Sequence, residues 1–557
     1  MSTFTAEART ASQAISWPRL NPRIALLIGV PLALLAVDPK WAFTASTYID
    51  PWYYFGYFQF LPQHLQDFPR FYYSSRLPWL LPGWLAYMAV PPLAANDLLH
   101  VSYHLLGTLA LYGLVARMAG SRAGLVCAAL MASYGPFLQA VGWDYADGPA
   151  IGYFVLALLC FTRSIDSARP RPWLVAAGCS VAMLVFSNLY WITLTPAIAA
   201  FAVCLGGRAR VRDAVVPALV GGVAVTLVLA VTNTLLAGQP LFFMPSVRTA
   251  GVLVRDGNQW WLPFAEWVPI APYIAVPLVM VVPALIMLAR ARRDRVGLAL
   301  RLPFVIVFGV LVATQVLGQA SLQLHYYASA LIPSMFLSLG ADLRRPLANL
   351  GRRQFALVSA LAIALPILSF SPALRAQFAM LQTGTLQLPL LLVAAAVCVV
   401  WLGRGGLPVL VLAVVGWTVA NLAIMDARVI DLRDRTDKVA EFQAIADASR
   451  AIRAANPERF SRVWYDHTSP LVYVYEATAS THLAGFADIE RDFPSIDSPD
   501  KLRGSRVALL STDPTAPDRA EASLRTSGLS GTIVDQHSVD QGSIAFSVTT
   551  IEVTSGP

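Results

Sequence analysis

Long apolar runs separated by short arginine-bearing stretches fill the first three quarters of the chain. They lie at about 21–37, 98–117, 122–140, 149–165, 173–187, 189–206, 214–237, 269–289, 302–322, 327–343, 354–370, 387–402 and 407–425. At 1.5 Å per residue, most of these reach across a hydrocarbon core of about 30 Å as α-helices. The pattern predicts an α-helical polytopic membrane protein with about 13 transmembrane helices. A shorter run at 79–93, broken by Pro82, Pro91 and Pro92, is expected to lie in the interface or to dip partly in. The first run follows a polar stretch holding Arg9 and Arg19 and lacks a small-residue cleavage site. It reads as a retained helix, not a removed signal peptide.

After residue 425 the pattern changes. The segment 426–557 is charged and polar, and reads as a small soluble α/β domain. A helix is expected over 438–455, with Val439, Phe442, Ile445, Ala446 and Ile452 at helical spacing and Pro457 stopping it. Short strands are expected at 463–465, 471–475, 507–511 and 544–553. The division is thus a transmembrane domain over 1–425, with a first outer loop at 41–78, and a C-terminal domain over 426–557.

Composition sharpens this picture. Hydrophobic residues make up 56% of the 557 and charged ones only 13%, against about 25% charged in soluble domains. The net charge is +8, but the arginines are not clustered into one solvent-facing patch, so nucleic acid is not an expected partner. With the N-terminus in the cytoplasm, the inner loops hold Arg117 and Arg122, Arg163 to Arg171, Arg208 to Arg212, Arg290 to Arg295, Arg344 to Arg353, and Arg404. The outer loops hold few basic residues, which is the positive-inside signature. The segment 426–557 is therefore expected outside a plasma (bacterial inner) membrane, in a periplasmic or extracellular position. The five cysteines fall in apolar runs without metal-ligand spacing, so no disulfide framework or zinc site is expected. Nothing has the form of a Walker A loop, a dinucleotide fingerprint or HExxH.

Candidate chemistry gathers at outer helix ends, where each charge is informative. Asp50 precedes Pro51 and an aromatic stretch, Trp52-Tyr53-Tyr54. It suits an N-cap and a catalytic carboxylate equally. Trp143-Asp144-Tyr145-Ala146-Asp147 fills a very short second outer loop, and the two acids, three apart, share a helix face. Arg76, between Tyr73 and Pro78, suits snorkelling to headgroups or holding a reactive phosphate. His325-Tyr326-Tyr327 sits at another outer helix end. Arg248 and Arg255 occupy a Trp-rich outer loop where interface anchoring is the plain reading. The aromatic first loop is expected to form short helices lying on the membrane surface.

These residues, in this order, resemble the GT-C class of membrane glycosyltransferases, with bacterial lipid A aminoarabinose transferase and the protein O-mannosyltransferases as the nearest branches. The resemblance covers roughly the first 345 residues. Asp50 matches the first acid of the class's first outer loop and Tyr54 its tyrosine. Pro51 stands where a second acid is usual, and Tyr53 where a basic residue is usual. Tyr73, Arg76 and Pro78 match a tyrosine–basic–proline pattern with a one-residue offset, and Asp147, with Asp144 as competitor, matches an acid before a long apolar helix. His325-Tyr326-Tyr327 with Pro333 is similar to a basic–aromatic pair.

The resemblance implies a GT-C-like fold and an inverting glycosyltransferase. It would take a polyprenyl-phosphate-sugar donor and a lipid, glycan or protein acceptor at the outer face. Asp50 would be the general base, Asp147 or Asp144 would orient hydroxyls, and Arg76, Tyr73, His325 and Tyr326 would hold the donor phosphate. Tyr54, Trp143, Arg248 and Arg255 would line the substrate surface. The sequence requires no metal, and the missing second acid leaves the need for a divalent metal open. A transporter or flippase of a lipid-linked or small solute is the rival reading, with Asn188 and Asn233 as its best polar candidates, and a non-catalytic envelope scaffold is a third.

Overall fold

The computed structural model describes residues 21–43, 50–69, 71–142, 145–263, 266, 274–290, 294–322, 324–373, 406–425, 437–455, 462–466, 471–479, 486–492, 498–541 and 544–556. It is mostly helical. Helices Pro22–Val37, Pro92–Ala119, Asp147–Asp166, Pro170–Ser187, Arg295–Val316, Leu331–Ala348, Arg352–Ser369 and Leu407–Met425 fall on predicted apolar runs. The run at 387–402 lies outside the described residues.

Three runs are built differently from expectation. Those at 189–206 and 214–237 meet at a kink within Thr195–Ala237, where Gly207 takes φ 72°, a backbone region open to glycine. The run at 122–140 is two helices, Ser121–Ala132 and Gly135–Gly142, bent by 63°. A bend in apolar surroundings frees backbone groups that must find partners. The Asn421 side chain supplies them, donating to the Ser133 carbonyl (2.8 Å) and accepting from Gly135 N (2.7 Å). A His104 ring nitrogen lies 2.7 Å from the Ala132 carbonyl.

Among the described residues six helices are long and apolar enough to cross a membrane, or seven if the bent pair is one span. Helices such as Pro22–Val37 are apolar but shorter; 16 residues span only about 24 Å. By this measure the described residues do not reach the expected count of about 13. Arg301 and Asp342, both buried, form an ion pair joining Arg295–Val316 to Leu331–Ala348.

The first outer loop departs from the surface-lying helices expected of it. Helix Asp50–Asp67 is buried along its first three turns, with Trp52, Tyr53, Tyr54, Phe55, Tyr57 and Phe58 all enclosed. What covers it is C-terminal. Phe442, on helix Lys438–Ala455, packs edge-on against Phe43 and Phe55, and Tyr473 stacks on Trp52. Tertiary cover, not the headgroup zone, takes up these rings.

Helix Lys438–Ala455 occupies its predicted residues. Residues 471–475, expected as a strand, belong instead to helix Leu471–Ala479. Its Val472, Tyr473, Val474 and Tyr475 favour strands locally, but packing on Asp50–Asp67 overrides that preference. The strands β1 (Arg462–Tyr465), β2 (Arg506–Ser511), β3 (Leu529–Gln541) and β4 (Ile544–Ser555) form one sheet in the order β1-β2-β4-β3. β1 and β2 are parallel and the other pairs antiparallel. β3 was not anticipated from the sequence. Among the described residues the sheet contributes to two apolar cores. One lies between the sheet and helix Ala516–Thr526, while the other runs without interruption from the apolar helices through Asp50–Asp67 into Lys438–Ala455 and Leu471–Ala479.

Candidate functional site

The site is built around the junction that follows helix Asp50–Asp67. Tyr72–Ser75 makes a 3₁₀ turn, closed by Ser74 and Ser75 hydroxyls donating to the Phe71 and Tyr72 carbonyls at 2.7 and 2.6 Å. Arg76 then caps helix Leu77–Ala89, its carbonyl accepting from Trp79 N (2.9 Å) and Leu80 N (3.0 Å). Pro78 sits in the first turn of that helix, where its missing N–H costs nothing. The backbone of Arg76 is fixed from both sides, and its side chain is turned inward with only 4% of its surface exposed.

The guanidinium is enclosed by phenols. It donates to the Tyr54 hydroxyl, is hydrogen-bonded to Tyr145, and lies 4.7 Å from the Tyr145 ring and 4.8 Å from that of Tyr72. The rings of Tyr54 and Tyr73 are each 5.6 Å away. Such cation–π contacts strengthen when desolvated. Burial pushes the Tyr54 and Tyr73 hydroxyls well above their ordinary value, so they stay neutral donors. Arginine keeps its proton in such a setting. Among the described residues no carboxylate comes within ion-pairing distance of Arg76, and its Nε is buried with no hydrogen-bond partner. The protein thus holds a desolvated cation with unused donor capacity, which is the design of an anion receptor.

The other candidate groups converge from separate elements. Asp50, half-buried, opens helix Asp50–Asp67, where a carboxylate is favoured by the helix dipole. Its charge acts on Tyr54, Tyr72, Tyr73 and Tyr145, the same rings that surround Arg76, and on Tyr326 beyond them. Asp147 opens helix Asp147–Asp166, is 1% exposed, and faces Ser329 and Arg76. The Ser329 hydroxyl and the Asp147 and Gly148 N–H groups approach its carboxylate, but among the described residues none makes a well-aligned hydrogen bond to it. His325 and Tyr326 lie on the short helix His325–Ala328. Tyr326 stacks on Tyr145 with centroids 5.2 Å apart, which ties this helix to the Arg76 cage. Burial lowers the His325 imidazole to a pKa of about 3, so it meets a ligand as a neutral ring.

Beyond Tyr326, the Asn258 side chain donates to the Tyr327 hydroxyl (3.0 Å). Trp261 Nε1, in the same turn, donates to the Gln315 carbonyl (2.7 Å). There a cavity of about 300 Å³ opens between apolar helices, lined by Trp261, Ile274, Phe308, Leu311, Val316 and Leu331. Its walls are almost entirely hydrocarbon. Contacts from Tyr145 to Tyr326, Tyr326 to Tyr327 and Tyr327 to Asn258 link the phenol cage to the turn that carries Trp261 on the cavity wall.

The structure therefore brings together Asp50, Tyr54, Tyr73, Arg76, Asp147 and Tyr326, with His325 adjacent. Trp143 and Asp144 lie outside the described residues. Arg248 and Arg255 are exposed on helix Met244–Asp256, and Arg255 is engaged by Asp256 at 2.7 and 2.8 Å. They stand apart from the cage and line no part of it, whereas Ser246 of the same helix contacts Ser75 beside it. Tyr72, Tyr145 and Ser329 were missed as site residues; the aromatic density of 71–73 and the place of Tyr145 between two acids were the available signals. Asn188 and Asn233 hold local backbone, accepting from Tyr190 N (3.2 Å) and donating to the Gln239 carbonyl (2.7 Å). Among the described residues no three His, Cys, Asp or Glu side chains are grouped to hold a metal.

Residues 96–235 match the family described as dolichyl-phosphate-mannose-protein mannosyltransferase. The crystal structure of ArnT from Cupriavidus metallidurans bound to undecaprenyl phosphate superposes with a TM-score of 0.54, covering 95% of this chain and 97% of that one at 15% identity. Its apo state gives 0.51 over the same shares at 16% identity. The chain has the fold of the GT-C membrane glycosyltransferases. That match extends past the apolar helices, since it takes in nearly the whole of both chains. No curated protein matches in sequence.

Proposed function

We propose that this GT-C chain is an inverting membrane glycosyltransferase that moves a sugar from a polyprenyl-phosphate-linked donor to a cell-envelope acceptor. The observation that carries the reading is Arg76: a buried cation among neutral phenols, without a carboxylate, on the same cage that Asp50 faces. ArnT, which shares the fold, binds a lipid phosphate. The positive-inside pattern and the grouping of Arg76, Asp147 and Tyr326 near helix ends support placing the chemistry at the outer face, with the N-terminus cytoplasmic. We place the transmembrane domain at 1–425 and a C-terminal extracytoplasmic segment at 426–557.

In this reading the donor's prenyl tail lies along the 300 Å³ apolar cavity. Its phosphate enters the cage, where Arg76 Nε and the Tyr54, Tyr72 and Tyr73 hydroxyls donate to its oxygens. Asp50 takes the proton from the acceptor's hydroxyl or amine as general base. The acceptor atom forms a bond to the anomeric carbon from the face opposite the phosphate. The carbon–oxygen bond to phosphate breaks, and its electron pair stays on the phosphate oxygen. Arg76 stabilises that growing charge, an interaction stronger in the transition state than in the ground state. The products are the inverted glycoside, a polyprenyl phosphate and a protonated Asp50, which returns its proton to water. Asp147 and Ser329 orient hydroxyls of the sugar or acceptor.

The test uses the full chain in bilayer nanodiscs with a synthetic polyprenyl-phosphate sugar. Asp50→Asn keeps size and hydrogen bonding but removes the base, and sugar transfer is expected to fall by about 10²–10⁴-fold with the protein still folded. Full transfer by this variant would remove Asp50 from the role.

A further inference from the structure

Helix Leu471–Ala479 is laid closely on helix Asp50–Asp67. Gly56 permits the approach, because a Cβ there would run into the Ala477 carbonyl and the His64 ring. The Trp52 and Tyr473 rings stack with centroids 5.3 Å apart and planes 22° from parallel. Next along the upper helix stands Glu476, whose carboxylate is hydrogen-bonded to Tyr53 and lies within electrostatic reach of Asp50. Glu476 is 3% exposed, and its Oε2 is buried with no hydrogen-bond partner among the described residues. A carboxyl group kept in such a place costs free energy that a packed apolar residue would not. Residue 51 is a proline, so no neighbour in sequence puts a second acid beside Asp50.

We propose that Glu476 is a positioning residue of the transferase site, forming with Asp50 a carboxylate pair on the acceptor side so that the C-terminal segment completes the active site. This rests on the reading of Asp50 as general base. Two carboxyl groups that feel one another titrate as a pair in two steps. Burial, with Asp50 adding to it and the Tyr53 hydrogen bond opposing, lifts the Glu476 carboxyl to about 8. At neutral pH Glu476 then keeps its proton, which leaves only on the alkaline side.

The surrounding titratable groups are Asp50, Tyr53 and His64 from the helix beneath, and Arg453 with the closed Lys438–Glu441 pair from Lys438–Ala455. Tyr465 lies on the strand, where its phenol senses Glu476. His64 and Arg453 meet the backbone at Ala477 and Thr478, not the Glu476 carboxylate.

The test measures kcat/KM for the acceptor against pH, using the full chain in nanodiscs with the synthetic polyprenyl-phosphate sugar. The wild type is expected to show a change in kcat/KM near pH 8 as the pair sheds its second proton. Glu476→Gln keeps the side chain's size but cannot ionise, and its profile is expected to lose that change. Glu476→Ala is expected to lower kcat by about tenfold or more, the scale of a misplaced catalytic group, with KM for the donor unaltered. Tyr53→Phe, which cuts the link between the two helices, is expected to shift the alkaline change without abolishing it. A Glu476→Gln profile identical to wild type would overturn the inference and leave a structural carboxyl, even if Glu476→Ala proved unable to fold. Wild-type protein that forms no product from any lipid-phosphate sugar would overturn the transferase reading itself, and this inference with it.

Discussion

A buried arginine, Arg76, and a half-buried one, Arg453, lie against aromatic rings along the same first-loop helix, and their partners differ. Arg453, reaching in from Lys438–Ala455, is 5.4 Å from the Phe60 ring, pairs with Asp67 at 3.2 Å, and touches His64 Nδ1 at 3.0 Å and the Thr478 carbonyl at 3.4 Å. Arg76 is hydrogen-bonded to phenols, with no carboxylate at ion-pairing distance among the described residues and the buried Asp147 carboxyl acting on it only from further off. Removing a cation from water is costly unless an anion and hydrogen-bond acceptors compensate. Arg453 has that compensation inside the fold and serves as a fastener between the C-terminal segment and the first loop. Arg76 lacks it, so its anion must come from outside, and this marks it as part of the reaction machinery.

Substitutions should separate the two roles, the largest effect coming at the cage. Arg76→Ala should lower kcat by about 10²–10³, the usual loss for one charge-stabilising donor, with little change in melting temperature. Steady-state turnover beside thermal unfolding checks both halves. Arg453→Met should do the reverse, costing about 1–3 kcal/mol of stability for the carboxylate and carbonyl left without their donor, with kcat falling far less than in Arg76→Ala.

The fastener should also be acid-sensitive. Burial, then the charge of Arg453, holds the His64 imidazole well below its ordinary 6.5, the backbone bond to Ala477 opposing them. The folded state therefore refuses a proton that the unfolded state accepts once pH falls below that value. Stability contributed by neutral His64 is full above about 6.5 and declines as the medium becomes more acidic. Unfolding monitored from pH 8 to 5 should show this decline, and His64→Gln should flatten it. Smallest of all, Arg255→Ala should leave both turnover and melting temperature unchanged, because its charge is fully exposed and, among the described residues, answered only by its neighbour Asp256.

How much of this was readable in advance follows from what each residue packs against. Apolar runs in the first three quarters were legible because a bilayer imposes one requirement on every spanning segment. Lys438–Ala455 was legible because its apolar spacing is helical and a proline ends it. Residues 471–479 were not, since valine and tyrosine alternate there as they would in a strand, and only the face offered by Trp52 and Gly56 makes them a helix. β3 is exposed over most of its length, so it carries no alternation of apolar and polar positions. At the site, Asp50, Arg76 and Asp147 stood out as rare charges at helix ends. Tyr145 was passed over because the acids flanking it drew the reading, and Glu476 because nothing in its own neighbourhood of the chain points to Asp50. Arg248 and Arg255, expected on the substrate surface, are exposed and lack the burial that distinguishes Arg76.

The most direct test of the account is the affinity of a short-chain polyprenyl phosphate for three forms of the full chain in nanodiscs, measured by phosphorus NMR titration. If Arg76 is the receptor for a lipid-borne phosphate and Asp50 only the base, Asp50→Asn should bind as the wild type does, and Arg76→Ala should bind at least about tenfold more weakly, a loss of about 1.4 kcal/mol or more. Equal binding by Arg76→Ala and wild type would contradict the claim that the phenol cage holds the donor's phosphate.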